Sequence, residues 1–173
     1  METVKISLQH VFADPIGVMT IVSNKEGICQ IGFGAYEIYE DRESAREGLE
    51  LEKISKIQNL EAVKQMEEYF QGKRKEFDLK LSMKGTEYQR RVWMALQDIP
   101  YGETRSYQEI AIRIESPRSC RAVGMANNKN PIAIVVPCHR VIGSNKKLVG
   151  YGGGLDKKQF LLGLERANMS NKK

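Results

Sequence analysis

The 173-residue sequence contains few of the residues that build metal sites, disulfide scaffolds or membrane spans. Its three cysteines and two histidines form neither a CxxC nor an HxxxH pair, which argues against a zinc site. An odd number of cysteines without framework spacing argues against a disulfide scaffold. No apolar run approaches about 18 residues, and the N-terminus lacks the pattern of a signal peptide. We therefore expect a soluble, cytoplasmic protein with no metal and no cofactor.

Charge is distributed unevenly along the chain. Residues 1–82 carry 11 Lys and Arg against 15 Asp and Glu, whereas residues 83–173 carry 16 against 7, so a net −4 and a net +9 give the total of +5. A basic half beside an acidic one is typical of a polyanion-binding domain with an unrelated companion. A solvated basic face without a partner explains the charge equally well. We expect two domains, residues 1–82 and 83–173, with the boundary at Ser82-Met83-Lys84-Gly85.

The first half predicts an α+β domain. Two β-rich runs, Val18–Val22 and Ile28–Phe33, flank a turn-forming cluster and predict a hairpin. Cys29 shares one face of the second run with two apolar residues, so we expect a small buried hydrophobe without chemistry. Residues 39–71 predict a helix on the sheet that ends at Gly72. Its helical stripe consists of Leu60, Val63, Met66, Tyr69 and Phe70.

The second half predicts short, capped helices. Capping-box patterns begin at Thr86 and at Ser106. A third helix is predicted from Pro117 to about Asn127, with Ser116 as its cap. Two short helices joined by a tight turn in a basic region suggest a helix-turn-helix, whose second helix faces DNA.

The third predicted helix has one unusual residue, Gly124. A 100° step sorts its residues into core-facing Ala122, Val123 and Ala126, outward-facing Arg118, Arg121 and Met125, and small flanking Cys120 and Gly124. Glycine inside a helix costs about 1 kcal/mol relative to alanine. Close approach of a partner explains Gly124, and so does tight packing between helices.

A candidate reactive centre follows the apolar run Ile132–Val136, which predicts a buried strand. The run ends at Pro137-Cys138-His139-Arg140, where a thiol lies beside an imidazole and a guanidinium. Such an electropositive setting lowers a thiol pKa and supplies a nucleophilic thiolate. A buried structural cysteine is the usual alternative, since sequence neighbours on an extended chain point in opposite directions.

A longer pattern favours the reactive cysteine. Residues 130–142, with Pro-Cys-His-Arg at their centre, are followed by Gly150-Tyr151-Gly152-Gly153-Gly154-Leu155 and by Leu161-Leu162-Gly163-Leu164-Glu165. This arrangement closely resembles the O6-alkylguanine-DNA alkyltransferase family. Further matches are Gly85 to Gln89, Ile99 to Thr104, Ser106-Tyr107, Arg121 to Gly124 and Glu68-Tyr69-Phe70. The resemblance therefore covers essentially the whole chain.

The resemblance implies a fold and a partner. The fold is α+β, with a ribonuclease-H-like N-terminal α/β domain over residues 1–82 and a winged helix-turn-helix domain over residues 83–173. The partner is double-stranded DNA bearing an alkylated guanine, bound through the minor groove with base flipping. Arg121 would replace the flipped nucleotide. The other expected DNA contacts are Tyr107, Arg118, Ser119, Cys120, Ala122 and Gly124. The resemblance is compatible with a monomer and with cooperative assembly along DNA.

The resemblance also implies a mechanism, in which Cys138 takes the alkyl group once and irreversibly from O6 of guanine, with O4-methylthymine as a further substrate to test. Glu165, His139 and a water would remove the thiol proton. Tyr107 would donate a hydrogen bond or proton to the departing purine, and Asn130 would brace the turn. The backbone carbonyls of Cys138 and Val141, with the loop residues Tyr151, Gly152, Gly153 and Gly154, would line the pocket and read the edge of the flipped base.

Several positions depart from the family pattern, and Ser119 and Cys120 stand where the family often has alanines. Glu115 and Lys146 stand where glycine is common, and Gly152 stands where some relatives have a serine that contacts the lesion.

Two other functions are compatible with parts of the sequence. One is a non-catalytic binder of alkylated DNA, against which Cys138 argues. The other is a Cys-His-Glu hydrolase, which the isolated triad would permit.

Overall fold

The computed structural model describes residues 5–35 and 47–170. The chain divides into two compact units, Met1–Met83 and Lys84–Lys173. This division and the predicted boundary after residue 82 differ by one residue. No helix among the described residues has the length and apolar character to cross a membrane.

An antiparallel three-stranded sheet forms the first unit, in the order β1 (Ile6–Phe12), β2 (Gly17–Asn24) and β3 (Gly27–Phe33). The predicted hairpin is confirmed as β2 and β3. The prediction for Cys29 is wrong, because its side chain is half-buried and its sulfur lies 3.5 Å from the Val22 carbonyl oxygen. A register shift between Val22 and Ser23 breaks the regular pairing opposite this part of β3.

Helix α1 (Glu47–Phe70) packs on this sheet with a more polar face than the sequence predicted. Leu60, expected in the core, is 58% exposed. Among the α1 residues whose burial the structure describes, the buried ones are Ser55, Asn59, Ala62, Gln65, Met66 and Tyr69. The polar ones are accommodated by backbone bonds, such as Asn59 Nδ2 to the Ile6 carbonyl at 3.1 Å and Gln65 Nε2 to the Asp78 carbonyl at 2.9 Å. The predicted start of this helix at residue 39 lies outside the described residues.

Short helices around an apolar core make up the second unit. Its elements are α2 (Glu87–Gln97), β4 (Arg105–Ser106), α3 (Tyr107–Arg113), α4 (Cys120–Asn128), a 3-10 turn (Cys138–Arg140), β5 (Val141–Ile142) and α5 (Leu155–Ser170). Strands β4 and β5 pair in parallel. Both predicted capping boxes are confirmed, with Thr86 and Ser106 bonded to the backbone three residues later.

Helix α4 begins at Cys120, three residues after the predicted start at Pro117. The Ser119 N–H donates to the Ser116 carbonyl at 3.0 Å and closes a turn that contains Pro117. Ser116 is therefore not the helix cap. In the turn between α3 and α4, Glu115 adopts a φ of 57°, a left-handed conformation that glycine adopts without strain.

Candidate active site

The segment before Cys138 is a tight buried turn, and the predicted strand over Ile132–Val136 is wrong. Ile134 has a φ of 72°, and the Val136 N–H donates back to the Ile132 carbonyl at 3.0 Å. The Asn130 side chain spans the turn, because its Nδ2 donates to the Val136 carbonyl at 2.7 Å and its Oδ1 accepts from the Ile132 N–H at 3.0 Å. A run of consecutive apolar residues indicates burial but does not distinguish a strand from a buried bend.

Cys138 opens the 3-10 turn and is only 7% exposed. Burial raises the pKa of its thiol, while the Asn130 amide, the positive charge of Lys158 and nearby backbone amides act in the opposite direction without offsetting it. The predicted net lowering of the thiol pKa is therefore wrong. At rest the sulfur holds its proton, so the site needs a base to form the thiolate.

A fully buried imidazole and carboxylate lie next to this cysteine in the fold. His139 Nε2 is 2.7 Å from Glu165 Oε1, and both side chains are 0% exposed. Burial alone would raise the pKa of Glu165, but the hydrogen bonds and charges of His139 and Arg140 outweigh it and lower this pKa to about 2. Burial lowers the pKa of His139 even though Glu165 opposes that shift. The pair is therefore a neutral imidazole held by an ionised carboxylate.

Arg140 completes the fixation of Glu165. Its Nε and Nη2 donate to the carboxylate oxygens at 2.9 Å each, and its Nη1 donates to the Ile99 carbonyl at 2.7 Å. The Gly102 N–H adds a further bond to Glu165 Oε2 at 3.1 Å. The sequence predicted that the Arg140 guanidinium would help to lower the pKa of the Cys138 thiol. In the structure this guanidinium pairs with the Glu165 carboxylate instead.

Two buried polar atoms near Cys138 have no hydrogen-bond partner among the residues that the structure describes: His139 Nδ1 and Asn127 Oδ1. Because His139 Nε2 faces a carboxylate, that nitrogen carries the proton and Nδ1 presents a lone pair. Nδ1 is thus able to accept a proton, directly or through a water.

Tyr107 and the glycine-rich loop lie on the other side of the site. Tyr107 Oη donates to the Val149 carbonyl at 3.1 Å, and burial raises the pKa of Tyr107, as does the charge on Cys138. Burial, with the charge on Cys138, also raises the pKa of Tyr151 well above its ordinary value. A negative charge on the Cys138 sulfur raises the pKa of both tyrosines, so Tyr107 and Tyr151 both lie near this sulfur. The loop closes with the Gly154 N–H donating to the Tyr151 carbonyl at 3.0 Å.

Glycines in this loop differ in their surroundings. Gly154 has a φ of 97°, and a Cβ there would lie 2.6 Å from Asp156 Oδ1. A Cβ built on Gly152 would meet nothing within 4 Å. The space for a serine side chain at Gly152 is therefore present. The half-buried Gly153 lies between them.

Apart from Tyr107, which begins α3, the residues predicted to contact DNA lie on and before helix α4. Arg118, Arg121 and Met125 are exposed, whereas Ser119, Cys120, Ala122 and Gly124 are half-buried, so Ala122 is less buried than predicted. Cys120 Sγ lies 2.8 Å from Gln108 Oε1. A Cβ on Gly124 would lie 3.8 Å from the Tyr107 ring, an ordinary contact. Packing within the protein therefore does not require glycine at this position.

Sequence reasoning missed one buried cation, Lys158. It is 0% exposed, although Asp156-Lys157-Lys158 has the composition of a solvated surface turn. A signal was present, because Lys158, Leu161, Leu162 and Glu165 recur at the spacing of a single helix face. The pairing of Arg140 with Glu165 and that of Asn127 with the Cys138 carbonyl were not predicted, because the partners are 25 and 11 residues apart.

Known proteins resemble this chain along nearly its whole length. Residues 8–83 match the ribonuclease-like domain of 6-O-methylguanine DNA methyltransferase, and residues 87–167 match the DNA binding domain of the same family. A methylated-DNA--protein-cysteine methyltransferase of Methanosarcina barkeri is 49% identical over 161 residues, covering 92% of this chain and 97% of the relative. One from Methanosarcina acetivorans is 50% identical over 157 residues, covering 90% and 96%.

Solved structures give the same result. The crystal structure of Mycobacterium tuberculosis OGT in complex with DNA has a TM-score of 0.76 at 41% identity, covering 94% of this chain and 93% of that one. The structure of the O6-methylguanine methyltransferase of the same organism has a TM-score of 0.75 at 42% identity, with 94% of each chain covered. The fold is a ribonuclease-like domain followed by a DNA-binding domain, and the chain belongs to the methylated-DNA--protein-cysteine methyltransferase family.

Proposed function

We propose that this protein repairs O6-alkylated guanine in DNA by transferring the alkyl group to Cys138 Sγ, without excising the base. The observation that carries the proposal is a buried cysteine followed directly by an imidazole whose other nitrogen is held by a buried carboxylate. The product is a thioether, which has no leaving path in this site, so each molecule reacts once. No cofactor takes part in the proposed reaction.

The first step forms the thiolate. The Cys138 proton passes through a water to His139 Nδ1, and the Glu165 carboxylate stabilises the resulting imidazolium. With a pKa of about 2, Glu165 remains ionised throughout the physiological range. Because burial raises the pKa of the thiol, this relay supplies a nucleophile that the resting cysteine lacks.

The second step is displacement at carbon. Cys138 Sγ forms a bond to the alkyl carbon as the bond between that carbon and guanine O6 breaks, and the electron pair moves into the purine. In the resting protein Tyr107 Oη donates its one proton to the Val149 carbonyl, so the hydroxyl turns away from Val149 to donate a hydrogen bond or a proton to the purine ring as this charge develops. The position of Tyr107 at the start of α3, with its ring beside Gly124, supports this role. Asn130 keeps the turn before Cys138 in shape.

The pocket is formed by the loop from Tyr151 to Gly154 and by Val141. The Cys138 carbonyl accepts hydrogen bonds from the Val141 N–H and, at 3.4 Å, from Asn127 Nδ2. These two bonds occupy the Cys138 carbonyl oxygen. We therefore assign recognition of the flipped base's edge to the Val141 carbonyl oxygen, which uses one lone pair for Lys158 Nζ and has a second one for the base.

DNA binds through helix α4, in the minor groove. Arg121 is exposed and enters the base stack in place of the flipped nucleotide, while Arg118 faces the phosphate backbone. The small residues Cys120, Ala122 and Gly124, with Ser119 before them, allow the helix to approach the groove closely. A Cβ at Gly124 would make only an ordinary 3.8 Å contact with the Tyr107 ring, which supports this reason for the glycine over packing within the protein.

The experiment that tests the proposal follows both partners by mass. An excess of duplex containing O6-methylguanine is incubated with the protein, and the peptides are then analysed. We expect one methyl group per protein on the Cys138 peptide, with an equal amount of restored guanine and no further turnover. Cys138→Ala should abolish transfer, whereas the matched control Cys29→Ala should retain it. Binding with an unchanged lesion would overturn the proposal, and so would multiple turnover. A parallel duplex containing O4-methylthymine tests the second substrate.

A further inference from the structure

Lys158 occupies the first turns of α5 with its ammonium group enclosed by three backbone carbonyls. Its Nζ lies 2.6 Å from the Val141 oxygen, 3.1 Å from the Val149 oxygen and 3.3 Å from the Gly150 oxygen. The side chain is 0% exposed. Burying a lysine is costly unless its donors are satisfied, so this arrangement requires an explanation beyond packing.

The three acceptors identify the protonation state. An ammonium group has three N–H donors and no lone pair, so it satisfies all three carbonyls. A neutral amine has only two N–H donors and would turn its lone pair towards the third oxygen. Burial lowers the pKa of Lys158 and a thiolate at Cys138 raises it. The geometry fits the charged form.

The positions of these carbonyls connect the parts of the site. Val141 follows the turn that contains Cys138, and Val149 and Gly150 lead into the loop from Tyr151 to Gly154. The Val149 carbonyl also accepts the hydrogen bond of Tyr107 Oη at 3.1 Å. A single lysine therefore links the strand after the nucleophile, the loop that lines the pocket and the acceptor that orients Tyr107.

The charge of Lys158 also acts on the nucleophile. It lowers the pKa of Cys138, in the same direction as the Asn130 amide. The positive charge of Arg140 is paired with Glu165, whereas the acceptors of Lys158 are uncharged carbonyls. The charge of Lys158 thus remains available to stabilise a thiolate in the buried site.

We propose that Lys158 is a positioning residue with two effects: its charge favours the Cys138 thiolate, and its hydrogen bonds hold the glycine-rich loop and the acceptor of Tyr107 in the geometry that receives the base. The second effect rests on the proposed alkyl transfer from DNA, whereas the first does not. The two effects can therefore be measured separately.

The first measurement uses no DNA. In a Cys29→Ser, Cys120→Ser background, Cys138 is the only thiol, and its rate of alkylation by iodoacetamide is followed against pH. The thiolate forms a bond to the reagent's carbon and iodide leaves. We expect Lys158→Met to move the midpoint of this profile to higher pH, with a rate about tenfold lower on the acid side of the midpoint.

A matched control is Lys157→Met, which removes the same charge from a partly exposed neighbour that lies 3.9 Å from Asp156 Oδ2. Its profile should coincide with that of the parent. Lys158→Gln is the second variant, because its amide retains two donors for the carbonyls without the charge. It should shift the midpoint as Lys158→Met does, and it keeps the test open if the methionine variant does not fold. A folded Lys158→Gln or Lys158→Met with an unshifted midpoint would overturn the electrostatic effect.

The second measurement is the rate of methyl transfer from O6-methylguanine DNA, taken at a pH where parent and variant have equal iodoacetamide rates. We expect Lys158→Met to transfer at least about tenfold more slowly than the parent even there, because the loop and Val149 are no longer held. Lys158→Arg should keep the parent iodoacetamide midpoint but transfer more slowly, since a planar guanidinium does not fit the three carbonyls. Equal transfer rates would overturn the positioning effect. A parent protein that reacts with iodoacetamide but not with DNA would instead disprove the proposed function.

Discussion

Glu165 Oε1 lies 2.7 Å from His139 Nε2, and neither side chain has any surface exposed to solvent. The carboxylate fixes the proton on Nε2 and leaves Nδ1 as the acceptor. Arg140 holds the same carboxylate from its other side, so Glu165 stays ionised while His139 stays neutral. The pair is thus prepared to take a proton from the cysteine.

This pair predicts a loss of stability in acid. Burial lowers the pKa of His139 below 6.5, so below that pH the unfolded chain binds a proton that the folded protein excludes. A second loss should begin below 4.5, the ordinary pKa of Glu165, and continue to about 2. Urea unfolding measured across this range, with the single and buried Trp93 as the probe, tests both.

Control variants separate the two contributions. All measurements are made in a His10→Gln background, which leaves His139 as the only histidine. His139→Gln should then remove the pH dependence just below 6.5 and leave a smaller dependence below 4.5, which the pairing of Glu165 with Arg140 maintains. An unchanged slope in that variant would contradict the assignment to His139.

Tyr107→Phe should slow methyl transfer by about a hundredfold, because the departing purine loses its donor. Tyr88→Phe is the matched control, since Tyr88 Oη also donates a hydrogen bond in this unit, to Ser119 Oγ at 2.9 Å. Single-turnover kinetics with saturating DNA measure the chemical step alone. Equal rates for the two variants would rule out a role for the Tyr107 hydroxyl.

Gly124→Ala and Gly163→Ala should both stabilise the protein, each by about 1 kcal/mol, because a Cβ at either helical position has room and alanine favours the helix. Only Gly124→Ala should weaken binding to DNA, since we propose that α4 approaches the groove closely at this glycine. Thermal unfolding and fluorescence anisotropy at fixed salt provide the two readouts. Unchanged DNA affinity in Gly124→Ala would show that α4 does not approach DNA at this position.

Arg121→Ala should weaken binding to lesion-containing DNA more than binding to undamaged DNA, because in the proposed complex Arg121 replaces the flipped nucleotide. Arg118→Ala, at another exposed position, should weaken both equally and reduce the salt dependence of binding. Titrations of each variant at two salt concentrations measure these effects. The same ratio of affinities for both variants would disprove the special role of Arg121.

Glu115→Gly and Lys146→Gly should each stabilise the protein by about 1 kcal/mol, since these residues have φ values of 57° and 63°. Glu115→Ala provides the control, because it removes the side chain but keeps the left-handed strain. Chemical unfolding compares the three. Glycine variants no more stable than the alanine variant would argue against strain in these turns.

Local features were predictable from the sequence. The capping boxes at Thr86 and Ser106 formed as predicted because each depends on residues three positions apart. The hairpin of β2 and β3 likewise depends on its own turn. Glu115 and Lys146, noted for replacing glycine, both lie in the left-handed region.

Features that depend on distant contacts were not predictable. Two local turns were also missed: a backbone bond from Ser119 to Ser116 delays the start of α4, and the Asn130 side chain spans the bend at Ile134. The direction of the Cys138 pKa shift follows from burial, which local charge patterns do not report. Lys158 resembled a surface residue until three carbonyls from two other segments were found around it.

Counting the three cysteine thiols distinguishes reacted from unreacted molecules. Cys29 and Cys120 are half-buried and take no part in the proposed reaction, whereas Cys138 is consumed by it. A denatured, unreacted molecule therefore titrates with three equivalents of a thiol reagent, and a spent one with two. In protein recovered from cells, the fraction of the third equivalent that is missing equals the average number of lesions removed per molecule.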